Sequence, residues 1–323
     1  MTLRVDDRYG GAHGIGRYAH EVLVRLRPEW TSLRLDGSPH DPFDAFRRLP
    51  ADVASRDLIY SPGYAPFVRA ARHIVTIHDL IQRRWPWPGR AKFLAYYDGP
   101  VRRTVRRAGI VLTVSQTSAR AIREWVRDDD VRIVDAGNGL SPAFGPQGAA
   151  EASGEPYALF VGNTRPYKNL EVVLRALALV RDVRLRAVLP EREVAAAASR
   201  AAALGVAGRV ELLHGVDDDR LARLYRGAVI TTVPSTSEGF GLPALESIAC
   251  GTPVLYWRGC EAVAEIVGDR AGSTESPHDA EEWAAALEEA AHRPRRVDPP
   301  PPGLYDWDRT ASIISDVLEE ALA

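Results

Sequence analysis

Val229-Ile-Thr-Thr-Val-Pro-Ser-Thr-Ser-Glu-Gly-Phe-Gly-Leu-Pro-Ala-Leu-Glu-Ser-Ile-Ala-Cys-Gly-Thr-Pro-Val-Leu-Tyr256 is the run from which the architecture is read. Between Arg226 and Arg258 it holds only two charges, Glu238 and Glu246, in a chain that is 26% charged. Such depletion predicts a strand, a helix and a second strand buried in a core. The strands are expected over 229–233 and 254–256. Pro243 suits the first turn of a helix over 243–250, where a missing N–H costs nothing, and Gly251 with Pro253 stops it. The amides of Gly239, Phe240, Gly241 and Leu242 then fall at or before a helix amino terminus, where they can donate to an anion or a hydroxyl. A carboxylate in such a segment needs a partner. The helical neighbours of Glu246 are Leu242, Pro243, Ala249 and Cys250, and none can pair with it. Both glutamates therefore read as groups awaiting a polar ligand; the other reading is of helix-start carboxylates favoured by the macrodipole.

The same alternation extends both ways. Before this run, strands are expected over 158–161, 185–189 and 210–213, with helices over 170–180, 191–204 and 219–225; after it come helices over 261–267 and 279–291. Near the amino terminus, strands are expected over 3–5, 58–61, 74–77, 110–114 and 131–134, with helices over 15–26, 90–107 and 116–126. Alternation of this kind predicts mostly parallel sheets covered on both faces. Residues 137–156 are rich in Gly, Ala, Pro and Ser, which marks a boundary. Domains are expected over 1–150 and 151–303. The four prolines 299–302 form a stiff spacer leading to a last segment, 304–323, with a helix over 309–322. The fold class is α/β, two doubly wound halves in series. Such halves bind ligands at the carboxyl ends of their strands.

Composition narrows the function. A chain of 323 residues, 46% hydrophobic, is long enough for two cores. A net charge of −2 argues against a nucleic-acid partner. Two cysteines, Cys250 and Cys260, supply neither a disulfide framework nor a metal cluster, and fit a reducing, cytoplasmic compartment. No apolar run reaches the roughly 18 residues of a spanning helix, and no signal pattern opens the chain. Arg102, Arg103, Arg106 and Arg107 form a basic helix edge, read as a solvated face or, alternatively, as a surface for an anionic acceptor or for lipid headgroups at the inner face of the cell membrane. Asp128-Asp129-Asp130 reads as a solvated turn, since no other ligand group has the spacing of a metal site.

Three further segments carry chemistry. Val161-Gly162-Asn163-Thr164-Arg165-Pro166-Tyr167-Lys168-Asn169-Leu170 is a strand, a turn and a helix start. Lys168 there opposes the helix dipole, a conflict that a bound phosphate would resolve; the spacing is not that of a Walker loop. Gly10-Gly11-Ala-His-Gly14-Ile-Gly16-Arg17 follows the first strand, as a phosphate cradle or simply a tight connection, and lacks the dinucleotide glycine spacing. His78 falls at the carboxyl end of the strand 74–77, with Asp79 beside it to orient the loop; a structural polar histidine is the alternative.

Taken together, these segments resemble family four of the retaining, nucleotide-sugar-dependent glycosyltransferases. In that family's GT-B fold, two Rossmann-like domains face each other across a cleft. The likeness runs through essentially the whole chain in motif order. Gly14-Ile-Gly16-Arg17-Tyr18 resembles the amino-terminal glycine loop, and His78-Asp79 the His-Asp pair. Gly162-Asn163 with Pro166-Tyr167-Lys168-Asn169 resembles the phosphate segment, and His214-Gly215-Val216 the base-proximal loop. The run from Glu238 to Glu246 resembles the paired-glutamate motif, and Tyr305-Asp306-Trp307 the closing segment that crosses back to the first domain.

The resemblance implies roles. Lys168 would hold the donor diphosphate, and Glu246 the ribose hydroxyls. Glu238 and the amides of Gly239, Phe240, Gly241 and Leu242 would hold the donor sugar, with Val216 also on the donor side. His78 would lie near the anomeric carbon, making His78 and Glu238 the catalytic pair. Gly16 would approach the diphosphate; Arg17 and Asp79 would lie on the acceptor side. Many relatives carry arginines where this chain has Asn163 and Tyr167, so Arg165 is expected to supply the second positive charge. The implied reaction moves a hexose, GDP-mannose being the first donor on likeness to the mannosyltransferase branch. The acceptor would be a saccharide, lipid-linked or small-molecule hydroxyl. Neither metal nor cofactor is implied beyond the nucleotide diphosphate sugar as co-substrate: preorganised cations and amides can stabilise the departing diphosphate. Competing readings are a non-catalytic nucleotide-sugar-binding relative, a nonhydrolysing nucleotide-sugar epimerase, and a dinucleotide-dependent oxidoreductase.

Overall fold

Strand β1 (Leu3–Val5) pairs in parallel with β2 (Trp30–Ser32) on one side and β3 (Leu58–Ser61) on the other, and β3 pairs with β4 (Arg72–Val75). All four residues of β3 are buried, so it reads as a continuous apolar run. The computed structural model describes residues 1–11, 14–39, 41–151 and 154–323. Ala12 and His13 of the glycine loop, and Ala152 and Ser153 of the boundary segment, lie outside them.

The strand expected over 74–77 begins at Arg72 and changes partner. After Val75, Thr76 bridges to Leu112, and the Ile77 N–H donates to the Leu112 carbonyl at 2.9 Å. This ties in β5 (Ile110–Thr113), which pairs in parallel with β6 (Arg132–Asp135). Helices α1 (Ile15–Leu23) and α2 (Ile81–Arg84) follow β1 and β4. The helix expected over 90–107 is split: α3 (Arg90–Tyr96), a π turn at Tyr97–Val101, and α4 (Arg102–Ala108). Pro100 lies inside the π turn; lacking an N–H, it cannot continue the α-helical ladder. Helix α5 (Gln116–Val126) is capped by Ser115, whose Oγ accepts from the Ser118 N–H at 3.0 Å.

The second sheet holds β7 (Tyr157–Val161), β8 (Arg184–Val188), β9 (Val210–Leu213), β10 (Ile230–Val233), β11 (Val254–Trp257) and β12 (Ala271–Thr274). Its order is β12-β11-β10-β7-β8-β9, and every pairing is parallel. This is the doubly wound order whose direction of growth reverses between the first and fourth strands. Along β7 the side chains alternate: Ala158 and Phe160 enter one buried cluster, Tyr157 and Leu159 another. Helices α6 (Leu170–Leu179), α7 (Glu191–Ala203), α8 (Asp218–Gly227), α9 (Leu242–Ala249), α10 (Glu261–Val267) and α11 (Ala280–His292) cover the two faces. α9 buries every residue from Ala244 to Ala249. Polar groups pin it: Ser247 Oγ donates to the Thr252 carbonyl at 2.9 Å and lies 2.8 Å from Thr231 Oγ1, and Thr252 Oγ1 donates to the Tyr225 carbonyl at 2.6 Å. These hydroxyls satisfy one another inside the core.

Helix α12 (Trp307–Leu322) closes the chain, with Asp306 Oδ1 accepting from the Asp308 N–H at 2.8 Å. The described chain falls into two compact units: Met1–Gly139 with Gly303–Ala323, and Leu140–Pro302. The first break therefore falls at 139/140 rather than after residue 150, because Leu140 and Phe144 pack into the second unit's core. α12 belongs to the first unit, where it packs against α1. Strands β2 and β12 were not expected; each is an edge strand with only partial burial, so neither carries an apolar period.

Candidate active site

In the second unit, β7 and β10 are neighbours on either side of the topological switch point. The loop after each supplies one member of an ion pair. Lys168 lies in the 3-10 turn Pro166–Lys168, ahead of α6, and its Nζ donates to Glu238 Oε1 at 2.6 Å. Both side chains are largely buried, 13% and 9% exposed. Burial opposes the charge on Lys168, and the Glu238 carboxylate overrides it, holding the ammonium above its ordinary value. The conflict between Lys168 and the helix dipole is thus met by Glu238, not only by a phosphate.

The two loops are stitched together. The Thr236 N–H donates to the Tyr167 carbonyl at 2.8 Å, and Thr236 Oγ1 to the same oxygen at 3.2 Å. Asn169, in the left-handed region at φ 52, donates through Nδ2 to the Pro277 carbonyl at 2.6 Å and to that of Pro234 at 3.4 Å. Glu193, in the first turn of α7, accepts from the Thr164 N–H at 2.5 Å and its Oγ1 at 2.9 Å. Arg165 is exposed on this loop.

Glu246 is buried on α9 and accepts from the Tyr225 hydroxyl of α8 at 2.9 Å. The expectation of two unpartnered carboxylates is therefore corrected. Glu238 has Lys168, 70 residues away, and Glu246 has Tyr225, 21 residues away; a count of helical neighbours could find neither. Gly239 and Gly241 are buried, while Phe240 and Leu242 are half-buried, all at the entry to α9. Gly241 takes φ 111, and a Cβ there would lie 3.3 Å from Val263, so the turn into the helix requires glycine. Val216 sends its side chain into the core with Tyr157, Leu159 and Leu221.

Cys260, absent from the expected site, lies beside the pair. Burial, then the Glu238 charge, push its thiol up to about 12. It stays protonated at neutral pH and is no nucleophile. Its nearness to Glu238 left no mark in the sequence.

In the first unit, His78 Nε2 is 3.0 Å from the Pro62 carbonyl. A carbonyl only accepts, so Nε2 carries the proton and Nδ1 keeps its lone pair. Burial pushes the imidazole down to about 4, against the pull of the Pro62 bond. Tyr18 meets the ring edge-on at 4.6 Å, and Ser118 Oγ donates to the His78 carbonyl at 2.8 Å. A neutral histidine of fixed tautomer results. Asp79 Oδ1 accepts from the Ile81 N–H at 2.9 Å and so shapes the turn into α2. Arg17 is half-buried in the first turn of α1. A Cβ at Gly16 would meet the Gly10 carbonyl oxygen at 2.3 Å, so the loop's own return already demands glycine there. Among the described residues, no group of three His, Cys, Asp or Glu side chains is placed to hold a metal ion, and no helix is long and apolar enough to cross a membrane.

A family model described as "Glycosyl transferases group 1" matches residues 146–298. D-inositol 3-phosphate glycosyltransferase 2 of Catenulispora acidiphila is 32% identical, over 84% of this chain and 74% of the relative. The D-inositol 3-phosphate glycosyltransferase of Streptosporangium roseum is 36% identical over 51% of this chain and 42% of its own length. The chain spans about half the length of most curated relatives it matches. Among solved structures, an alpha,alpha-trehalose-phosphate synthase (UDP-forming) from Burkholderia vietnamiensis superposes with TM-score 0.67 at 13% identity, covering 99% of this chain and 98% of that one. WaaG, a glycosyltransferase involved in lipopolysaccharide biosynthesis, superposes with TM-score 0.63 at 16% identity, covering 100% and 98%. At these identities the superpositions establish the fold, two Rossmann-like domains of the GT-B type.

Proposed function

This chain belongs to the group 1 glycosyl transferases, family four of the GT-B fold, and we propose that it transfers a hexose, with retention, from a nucleotide diphosphate sugar to a hydroxyl acceptor. The observation that supports this most is the Lys168–Glu238 pair at the switch point, with the buried Glu246 on the helix that follows Glu238. In the free protein each charge holds the other. A donor diphosphate takes over Lys168, with Arg165 as the second cation. Glu238 is then released to accept from hydroxyls of the sugar, and Glu246, oriented by Tyr225, accepts from the ribose. The bond between the anomeric carbon and the phosphate oxygen breaks, and its electron pair goes to the diphosphate. Lys168 and the amides entering α9 stabilise that charge. The acceptor oxygen bonds the anomeric carbon from the same face, and its proton passes to the leaving phosphate. His78 offers its Nδ1 lone pair to a sugar hydroxyl. No protein nucleophile and no metal enter this scheme.

GDP-mannose is the first donor to test, on the likeness of Pro166-Tyr167-Lys168-Asn169 and Ile77-His78-Asp79-Leu80 to mannosyltransferase-like members; UDP- and dTDP-hexoses follow. D-inositol 3-phosphate is the first acceptor, from the names of the curated relatives. Calorimetry against nucleoside diphosphates, then product analysis by NMR, tests the reading. Binding followed by an α-glycoside from an α-donor supports it. Absence of any nucleoside diphosphate binding overturns the site. An epimerised nucleotide sugar formed without acceptor assigns the epimerase reaction instead.

A further inference from the structure

A basic, aromatic stretch of the first unit takes no part in the chemistry above. Residues 81–107 hold eight Lys or Arg side chains against one carboxylate, Asp98, in a chain of net charge −2. Asp98 is already divided among Arg83 at 2.9 Å, Arg102 at 2.6 Å and the Trp125 indole N–H at 2.9 Å. The two guanidinium groups sit over the Trp125 ring, 5.8 and 5.3 Å from its centroid. Arg102 Nε is buried and has no hydrogen-bond partner among the described residues. Arg106 turns to the Val126 carbonyl and Asp128, and Arg107 to the Val68 carbonyl. Arg84, Lys92 and Arg103 remain exposed, and no carboxylate lies within ion-pair reach of them among the described residues.

Beside these cations runs Trp85-Pro86-Trp87-Pro88. Trp87 is 41% exposed, yet its indole N–H is satisfied by the Gln82 carbonyl at 3.0 Å, and its ring meets Phe93 edge-on at 5.7 Å. What Trp87 leaves to solvent is therefore apolar ring. The surplus cations come from three successive helices, α2, α3 and α4, rather than from one pocket. That spread suits a plane of phosphates better than a single phosphate ion.

We propose that this stretch docks on an anionic lipid surface. Arg84, Lys92 and Arg103 would meet headgroup phosphates while the Trp87 ring enters the boundary between headgroups and acyl chains. The inference is independent of the donor reading.

The test is co-sedimentation of the full chain with vesicles of phosphatidylcholine, alone or mixed with phosphatidylglycerol. Binding is expected only to the mixed vesicles and should weaken as salt rises. The triple variant Arg84→Gln/Lys92→Gln/Arg103→Gln should lose on the order of 100-fold in partition, at roughly one kcal/mol per cation. Trp87→Phe should keep most binding, and Trp87→Ser should lose binding together with quenching of tryptophan fluorescence by brominated lipid. Unchanged thermal melting and nucleoside diphosphate affinity show that the variants are folded. Equal binding to neutral vesicles, or unaltered binding of the triple variant, overturns the proposal. Displacement from vesicles by inorganic phosphate at constant ionic strength also overturns it, in favour of a discrete phosphate site.

Discussion

Lys168 and Glu238 hold each other at 2.6 Å in a largely buried setting, so their energetics are coupled. Removing either partner strands the other charge, at a cost of about 3 kcal/mol or more. Lys168→Met and Glu238→Gln should each lower stability in urea, and the double variant should cost less than their sum; strictly additive losses would deny the coupling. For donor binding, Lys168→Ala should weaken nucleoside diphosphate affinity by about 1.5–3 kcal/mol, read by calorimetry. An unchanged affinity would displace the diphosphate from this loop. A second residue-scale effect follows from two neutral histidines. His73 accepts from the Phe67 N–H at 3.0 Å through Nδ1 and bonds Ser61 at 2.9 Å through Nε2; burial, aided by Arg107, pushes it down to about 3. His78 is pushed down to about 4. Below the ordinary histidine value of about 6.5, the unfolded chain binds protons that the folded chain refuses. Stability is thus fully present above that value and falls as pH drops through the window toward 4 and then 3. Urea titrations across this range should show the decline, and His73→Gln should flatten it. An equal slope in the variant would place the effect elsewhere.

At the scale of elements, the chain's own close approaches are the sharpest constraints. A Cβ at Gly139 would lie 2.3 Å from the Trp307 ring, and both residues belong to the first unit. Gly139→Ala should push Trp307 out of its seat and loosen α12, with limited proteolysis cutting first near residue 303. Resistance equal to the parent would mean the ring can shift without cost. Much of the element plan was legible. β3, α5 and β10 lie within a residue of their expected bounds, because buried apolar runs and the helical period are local signals. β2 and β12 were not legible: at a sheet edge, one flank has no partner strand and the pattern fades. The π turn at Pro100 was overlooked, although proline within a helical pattern was its visible signal.

At the scale of the molecule, α12 is the last segment of the sequence and yet part of the first unit. It buries Trp307, Ile314 and Leu318 there. Truncation after Pro302 should strip protection from β1, β3 and α1 in hydrogen exchange while leaving β7, β8 and β10 protected, with nucleoside diphosphate binding retained. Uniform loss across both units would mean that they unfold as one. The candidate site divides along the same line. Residue types alone marked Glu238, Glu246, Lys168 and His78 as candidates, and the family resemblance gave them roles: charge in a depleted core segment, a lysine against a helix dipole and a histidine at a strand's carboxyl end are visible without coordinates. The alternation of apolar runs likewise determined two α/β halves, since each run must bury itself against a neighbour. Tertiary structure alone decided which charges meet. β7 and β10 are adjacent strands separated by long stretches of chain, so the contacts Lys168–Glu238 and Tyr225–Glu246 arise from sheet order, which no local pattern encodes. It also decided the state of His78: burial holds that ring neutral, and the Pro62 carbonyl, which by itself favours the charged form, fixes the proton on Nε2.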